Sequence, residues 1–242
     1  MTKSALLSSL KRCYLDLKGV DEYYIRWTVE KNKLNFLSAV TAFKTTTMCS
    51  IIIPGIEIKD LNVFVRNPKV LLNLLSIAEE ELTLKFDKKF DYKLTIKDKS
   101  FEQDFILCDP TTVRVESPVV DEPLSYDMVI ELTADFIDKY LKAKKANGSE
   151  TITVEIKDRK ATFELGDTYS NKTRFLVEED GMFDMKKLAF SSDMIEEVLQ
   201  RNKGCTGRMF IHGEGLMKIY FTEEIGIYKP EATYFLIALD QL

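Results

Sequence analysis

The chain has a single histidine, His212, and four cysteines, Cys13, Cys49, Cys108 and Cys205. Chemistry that needs an imidazole can be built only around His212. That residue ends the alternating stretch Met209-Phe210-Ile211-His212 and runs into Gly213-Glu214-Gly215. An ordinary strand-end residue is the favoured reading, and a hydrolase centred on His212 the disfavoured one. The cysteines lie far apart, none in a CxxC pair, and one histidine cannot complete a zinc set, so no metal site is expected. Free thiols fit a reducing, cytoplasmic setting. Carboxylates cluster in Glu79-Glu80-Glu81, Glu178-Glu179-Asp180 and Glu223-Glu224, all at turns, where solvated acids are ordinary. A two-carboxylate active site needs a fixed separation across a cleft, which spacing alone does not supply. The motifs GxxxxGK[ST], GxGxxG after a strand, HExxH and GxSxG are missing. No catalytic residue, cofactor or metal is expected, and the chain reads as a non-enzyme.

The remaining chemistry is cationic. The chain of 242 residues carries a formal charge of −5, which argues against a protein that grips nucleic acid with its whole surface. Yet lysines and arginines gather on the polar sides of four segments with helical periodicity. These are Lys3, Lys11, Arg12 and Lys18; then Lys69; then Lys139, Lys142, Lys144 and Lys145; then Arg201 and Lys203. Cations decorate any solvated helix face, so one such helix means little. The same pattern in every one of the four, within an acidic chain, points to one basic face able to screen phosphates.

The elements that hold these residues follow from periodicity. A first helix is expected over residues 3 to 17, with Leu6, Leu10, Cys13, Tyr14 and Leu17 on its apolar side. A second begins at Asn67-Pro68, an expected cap followed by a proline at the first helical position, with Val70, Leu71, Leu74, Leu75 and Ile77 as its stripe. A third runs from Thr133 to Asn147-Gly148, with Phe136, Ile137, Tyr140 and Leu141 inward. A fourth opens at Ser192-Asp193, with Glu196 in capping-box spacing from Asp193. Between them the period drops to two, as in Trp27-Thr28-Val29, Thr151-Ile152-Thr153-Val154 and Met217-Lys218-Ile219-Tyr220, which marks half-buried strands joined by hairpin turns.

The order of elements repeats. The stretch from Thr2 through Phe36 runs helix, hairpin, strand, and so does the stretch from Thr133 through Phe163. The stretches opening at Asn67 and Ser192 match each other and end in the apolar runs Phe105-Ile106-Leu107 and Tyr234-Phe235-Leu236-Ile237-Ala238-Leu239. The expected organisation is therefore α+β: two tandem domains, residues 1–109 and 125–242, each with two helices packed on antiparallel sheets. Residues 110–124 form an extended connection rich in proline and valine. No run of about 18 apolar residues is present, so no transmembrane helix is expected, and Lys11 and Arg12 interrupt the start too early for a secretory signal.

This doubled two-unit plan resembles that of the DNA sliding clamps, the processivity factors of DNA polymerases. The resemblance is nearest to the clamps of T-even-type bacteriophages, with proliferating cell nuclear antigen (PCNA) more distant. The similar stretches are Asp60-Leu61-Asn62-Val63-Phe64, Phe105-Ile106-Leu107-Cys108-Asp109-Pro110-Thr111-Thr112-Val113 and Glu231-Ala232-Thr233-Tyr234-Phe235-Leu236-Ile237-Ala238-Leu239. Each is short; the architecture matches over nearly the whole chain. In one departure, residues follow Asp60-Leu61-Asn62 before Pro68, so the second helix is expected to start later than in the phage relatives.

The resemblance implies a homotrimeric ring, its sheets outside and its helices around duplex DNA held without regard to sequence. The DNA-facing residues would then be Lys3, Lys11, Arg12, Lys18, Lys69, Lys139, Lys142, Lys145, Arg201 and Lys203. Protomers would join by edge strands carrying Phe101, Phe105 and Leu107 on one side and Arg174, Phe175 and Val177 on the other. DNA polymerase and clamp loader would insert a short apolar peptide into a pocket formed by Val113, Val115, Val119, Val120, Pro230, Leu236 and Ala238. The setting would be a bacterial host cytoplasm if the chain is phage-encoded. The alternative from another class is a β-rich viral structural or assembly protein with no DNA-tethering role, which would share the acidic, non-catalytic composition but need no basic inner face.

Overall fold

The computed structural model describes residues 2–15, 23–31, 33–42, 45–54, 62–87, 92–109, 111–113, 123, 125–166, 171–178 and 183–239. Four units follow one another. The first holds α1 (Lys3–Cys13), β1 (Tyr24–Glu30), β2 (Lys33–Ala42), β3 (Thr45–Pro54) and β4 (Asn62–Arg66). The second holds α2 (Pro68–Ile77), β5 (Thr83–Asp87), β6 (Lys93–Lys97) and β7 (Glu102–Ile106), followed by β8 (Met128–Leu132). The third holds α3 (Ala134–Asn147), β9 (Thr151–Lys157), β10 (Lys160–Leu165), β11 (Thr173–Glu178) and β12 (Met185–Ser191), and the fourth α4 (Ser192–Arg201), β13 (Thr206–His212), β14 (Leu216–Thr222) and β15 (Glu231–Ile237).

Sheet order makes the repeat physical. The first unit pairs β4-β1-β2-β3, and the third repeats it as β12-β9-β10-β11. The fourth borrows β8 as its outer strand, β8-β13-β14-β15, while the second is left with β5-β6-β7. Where that missing strand would begin, Thr2 makes a single antiparallel bridge to Glu81. The first and fourth units then fuse. β3 pairs antiparallel with β15 from Glu231 opposite Ile52 to Leu236 opposite Thr47, giving one eight-stranded sheet that unites strands from both halves of the chain. Residues 110–124, the expected connection between domains, lie outside the described residues except for 111–113 and 123.

Alternation buries one face of every sheet under the helices. Ile25, Trp27, Phe36, Ile51, Ile53, Val154, Phe163, Ile219, Phe221 and Tyr234 are essentially inaccessible. Trp27 meets Phe36 edge-on at 4.9 Å, an arrangement that suits the ring quadrupoles.

The helix ends correct several expectations. α1 stops at Cys13, because Tyr14 is extended and the Tyr23 hydroxyl takes over locally, donating to the Cys13 carbonyl (2.7 Å) and accepting from the Leu15 amide (3.1 Å). Asn67 adopts φ 54°, ψ 60° and makes no side-chain cap; Pro68 opens α2 as expected. Only Pro68, Leu71 and Leu75 of α2 are buried, whereas Val70 and Ile77 are 50% and 67% exposed. Thr133 caps α3 and left-handed Gly148 (φ 70°) ends it, as the sequence indicated. The cap of α4 is Ser191, whose hydroxyl accepts from the Met194 amide, so the helix opens one residue before the expected cap at Asp193.

One polar seam crosses the junction between the first and last units. Arg12 is 2% exposed; its Nε donates to Asn202 Oδ1 (2.7 Å) and its Nη1 pairs with Glu223 Oε2 (3.1 Å). Asn202 Nδ2 donates to the Tyr234 hydroxyl (2.8 Å), which donates to the Arg12 carbonyl (3.0 Å). Burial pushes the Tyr234 phenol well above its ordinary pKa, so it remains a neutral donor. Arg12 is therefore a tie between α1, the end of α4 and the end of β14, which overturns its expected place on the outer face of α1. Removing a buried partner strands the others without hydrogen bonds. Arg12→Ala is expected to lower unfolding stability by about 2–4 kcal/mol, read from urea denaturation, with Tyr234→Phe losing roughly 1 kcal/mol.

Candidate nucleic-acid interface

α1 packs against both α2 and α4, and α3 packs against α4, so the helices form a row α2–α1–α4–α3 on one side of the sheets. Each buries one stripe in the core and turns its other side to solvent. Lys11, Lys142 and Lys145 are exposed and make no ion pair among the described residues. Lys69 is exposed at the start of α2. Lys3 is half-buried, and its ammonium donates to the Ser76 (3.1 Å) and Ala78 (2.6 Å) carbonyls at the C-terminal end of α2, where a cation also meets the favourable end of the helix dipole.

Other cations of the row are already partnered. Lys139 pairs with Asp135 (2.7 Å), Lys203 with Asp138 (2.9 Å) and Arg201 with Glu197 (2.7 Å). The Lys203 ammonium holds the Asp138 carboxyl below its ordinary range. Lys144, expected on the polar side of α3, is 6% exposed and bridges to Asp193 of α4 at 2.7 Å. Lys18 lies outside the described residues. The exposed cations of the row, Lys11, Lys69, Lys139, Lys142, Lys145 and Lys203, still outnumber its carboxylates Asp135, Asp138, Asp193, Glu196 and Glu197, in a chain whose total charge is −5. α2 adds a neutral strip, Val70, Asn73, Ser76 and Ile77, all exposed.

The opposite, outer face of the sheet holds a groove of 430 Å³ lined by Glu131, Thr206, Gly207, Arg208, Phe210, Lys218, Tyr220 and Thr222. Lys218 Nζ sits 5.8 Å from the ring centroids of both Phe210 and Phe235, and Tyr126 stands 5.4 Å from Phe210. Arg208 pairs with Glu131 at 2.6 Å. The expected peptide pocket differs. Leu236 is fully buried on the helix side and Pro230 is buried too, whereas Val113 and Ala238 are half-exposed. Val115, Val119 and Val120 lie outside the described residues. Phe235 and Ile237, one step out of phase with Leu236, are the β15 residues on the outer face. Tyr234 and Leu236 share the inner face, a phase that the two-sided apolar run does not reveal in the sequence.

Among the strands that end their sheets are β7 and β11, each paired with one neighbour among the described residues. Phe105 on β7 is half-buried, as is Phe101 just before it, and Leu107 is buried within its own chain. On β11, Phe175 and Val177 turn inward while Arg174 and Leu176 turn outward, Leu176 being 72% exposed. Arg174 Nε and Lys172 Nζ reach Glu164 at 2.6 and 2.9 Å, and the Glu164 side chain is 11% exposed.

His212 is only a strand-end residue: its Nδ1 accepts the Glu214 amide at 3.3 Å. Among the described residues no group of His, Cys, Asp and Glu could hold a metal ion, and no helix is long and apolar enough to cross a membrane.

No protein-family model matches the chain, and no curated protein does. Solved structures do. PCNA of A. fulgidus, determined with the C-terminal region of FEN-1 bound, superposes with a TM-score of 0.73 at 20% identity, over 100% of this chain and 98% of that one. PCNA of Entamoeba histolytica gives 0.73 at 15% identity, over 98% and 96%. The β subunit of DNA polymerase III from Pseudomonas aeruginosa gives 0.67 at 10% identity, over 100% of this chain and 64% of that one. The fold is that of the DNA sliding clamps, α+β with helices on antiparallel sheets.

Lys172 and Arg174 hold the Glu164 carboxyl below its ordinary range. A carboxylate whose pKa is lowered by folding stabilises above its unfolded pKa, and that contribution fades as pH falls through the folded value. Glu164→Gln is expected to cost about 1 kcal/mol at neutral pH and nothing below the carboxylate range, read from thermal unfolding at a series of pH values.

Proposed function

We propose that this chain is a sliding clamp: a non-enzymatic protein that encircles duplex DNA and tethers a replicative polymerase. The observation that carries this reading is the single helix row with its cation surplus, set on a clamp fold in an acidic chain. Enclosure needs no base-reading element; lysines that meet phosphates hold the duplex near the centre and leave it free to slide. The DNA-facing set is Lys3, Lys11, Lys69, Lys139, Lys142, Lys145, Arg201 and Lys203, with Lys18 kept from the sequence reading and Arg12 removed because it is buried.

Ring closure would come from the strands β7 and β11, each of which would otherwise leave backbone donors and acceptors open to stray pairing. Three protomers is the number implied by the sequence resemblance. Kinship with phage clamps, and with it a viral replication role in a bacterial host cytoplasm, rests on that resemblance. The outer groove and the adjoining Phe235, Ile237 and Ala238, with Val113 and the valines after it, would receive a peptide of the polymerase or clamp loader. A. fulgidus PCNA with a partner's C-terminal region bound supports such an arrangement.

Primer extension on long templates with the cognate polymerase and loader tests the reading; product length per binding event is expected to rise severalfold, and no rise sinks it. Lys139→Glu with Lys142→Glu should reduce loading on nicked circular DNA roughly fivefold or more, and flatten its salt dependence, while native mass stays unchanged.

A further inference from the structure

The four-unit repeat contains its own template for the joint between protomers. Inside the chain, the third strands of the first and fourth units, β3 and β15, pair with each other. The third strands of the third and second units, β11 and β7, occupy the same positions and have no such partner among the described residues. The known pairing can therefore be transferred residue by residue.

The correspondences are fixed by hairpin register. Glu30 opposes Lys33 and Lys33 opposes Pro54 in the first unit; Lys157 opposes Lys160 and Lys160 opposes Glu178 in the third. Hence Pro54 matches Glu178, Ser50 matches Arg174 and Met48 matches Lys172. In the fourth unit His212 opposes Leu216, which opposes Ile237; in the second Asp87 opposes Lys93, which opposes Ile106. Hence Ile237 matches Ile106, Phe235 matches Asp104 and Thr233 matches Glu102. The other hairpin end agrees. Thr2, the cap of α1, bridges Glu81, and continuing the Leu132–Gly207 pair by one residue sets Thr133, the cap of α3, against Thr206. Thr206 then matches Glu81, which again aligns His212 with Asp87.

Within the chain Thr233 opposes Ser50, Phe235 opposes Met48 and Ala232 opposes Ile51. From this template we infer that β7 of one protomer pairs with β11 of a second copy in a single register, Glu102 opposite Arg174, Asp104 opposite Lys172 and Phe101 opposite Phe175. The inference rests on the ring reading above and specifies its joint.

The charges fit this register. Lys97 opposes Glu102 with an ion pair of 2.6 Å, and Arg174 opposes Glu164 with one of 2.6 Å. Joining the strands completes a row Lys97–Glu102–Arg174–Glu164 of alternating sign across four strands. Beside it Lys93, 3.0 Å from Asp104, and Lys172, 2.9 Å from Glu164, extend the same alternation. Opposite charges directly across a ladder stabilise it and like charges oppose it. The equivalent row inside the chain is uncharged: Tyr220, Thr233, Ser50 and Leu37. The inner ladder thus lacks this row of charges, and the joint between copies is the one that salt loosens more.

Sedimentation of the full chain over a concentration series tests the register. Glu102→Arg alone and Arg174→Glu alone should each weaken self-association roughly tenfold, and the two together should regain part of that loss, Lys97 and Glu164 now facing like charges. Should wild-type chains assemble while the double variant stays as weak as the singles, the register is wrong. Wild-type chains that remain monomeric at every concentration sink the ring reading itself. A second pair keeps the test open if charge variants misfold. With oxidised glutathione, Glu102→Cys combined with Arg174→Cys should give covalently linked protomers in higher yield than Glu102→Cys combined with Leu176→Cys; an equal or reversed yield overturns the register.

Discussion

The architecture depends on one antiparallel contact, the pairing of β3 with β15. It joins the first unit of the chain to the last and turns two four-stranded sheets into one of eight strands. Because every unit carries its helix on the same side, this fusion brings α1 beside α4 and lines up all the helices on one face. It also decides what is left over. Once β3 and β15 have each other, β7 and β11 are the third strands that end their sheets.

The contact is secured from within as well as along the ladder. Backbone pairing alone would allow two sheets to shear. The Arg12 seam, with Asn202, Tyr234 and Glu223, adds directional bonds between α1 and the final unit in a place where unpaired groups would be costly. Such a network sets one geometry for the inner joint. The joint proposed between copies relies on exposed charges, which water and salt weaken, so the two similar contacts have different mechanical characters.

Much of this was legible in the sequence because it is periodic. Strand alternation, the Thr133 cap, the Gly148 stop and the doubled order of elements are local signals, and the structure reproduces them. What was not legible depends on neighbours distant in sequence. Arg12 looks like a solvated helix residue until Asn202 and Glu223, far along the chain, are brought to it. Lys144 looks like a lumen cation until α4 supplies Asp193. Val70 and Ile77 look like core because α2 is short and apolar on several sides, yet only Leu71 and Leu75 of that stripe are buried. In β15 the run Tyr234-Phe235-Leu236-Ile237 is apolar on both faces, so its phase was hidden, and Leu236 was assigned to the outer pocket where Phe235 and Ile237 stand.

On the clamp reading proposed above, the pairing of Lys139 with Asp135 and of Lys203 with Asp138 would have a consequence for friction. A bare ammonium that grips a phosphate must be stripped of it before the duplex can advance, and each release is a barrier. An ammonium with a carboxylate at hand exchanges one anion for another, and its loss at every step is small. Alongside the neutral strip of α2, a surface of such lysines would give passing phosphates a shallow, nearly level potential. The same carboxylates that reduce the attraction would serve as the lubricant of a bearing.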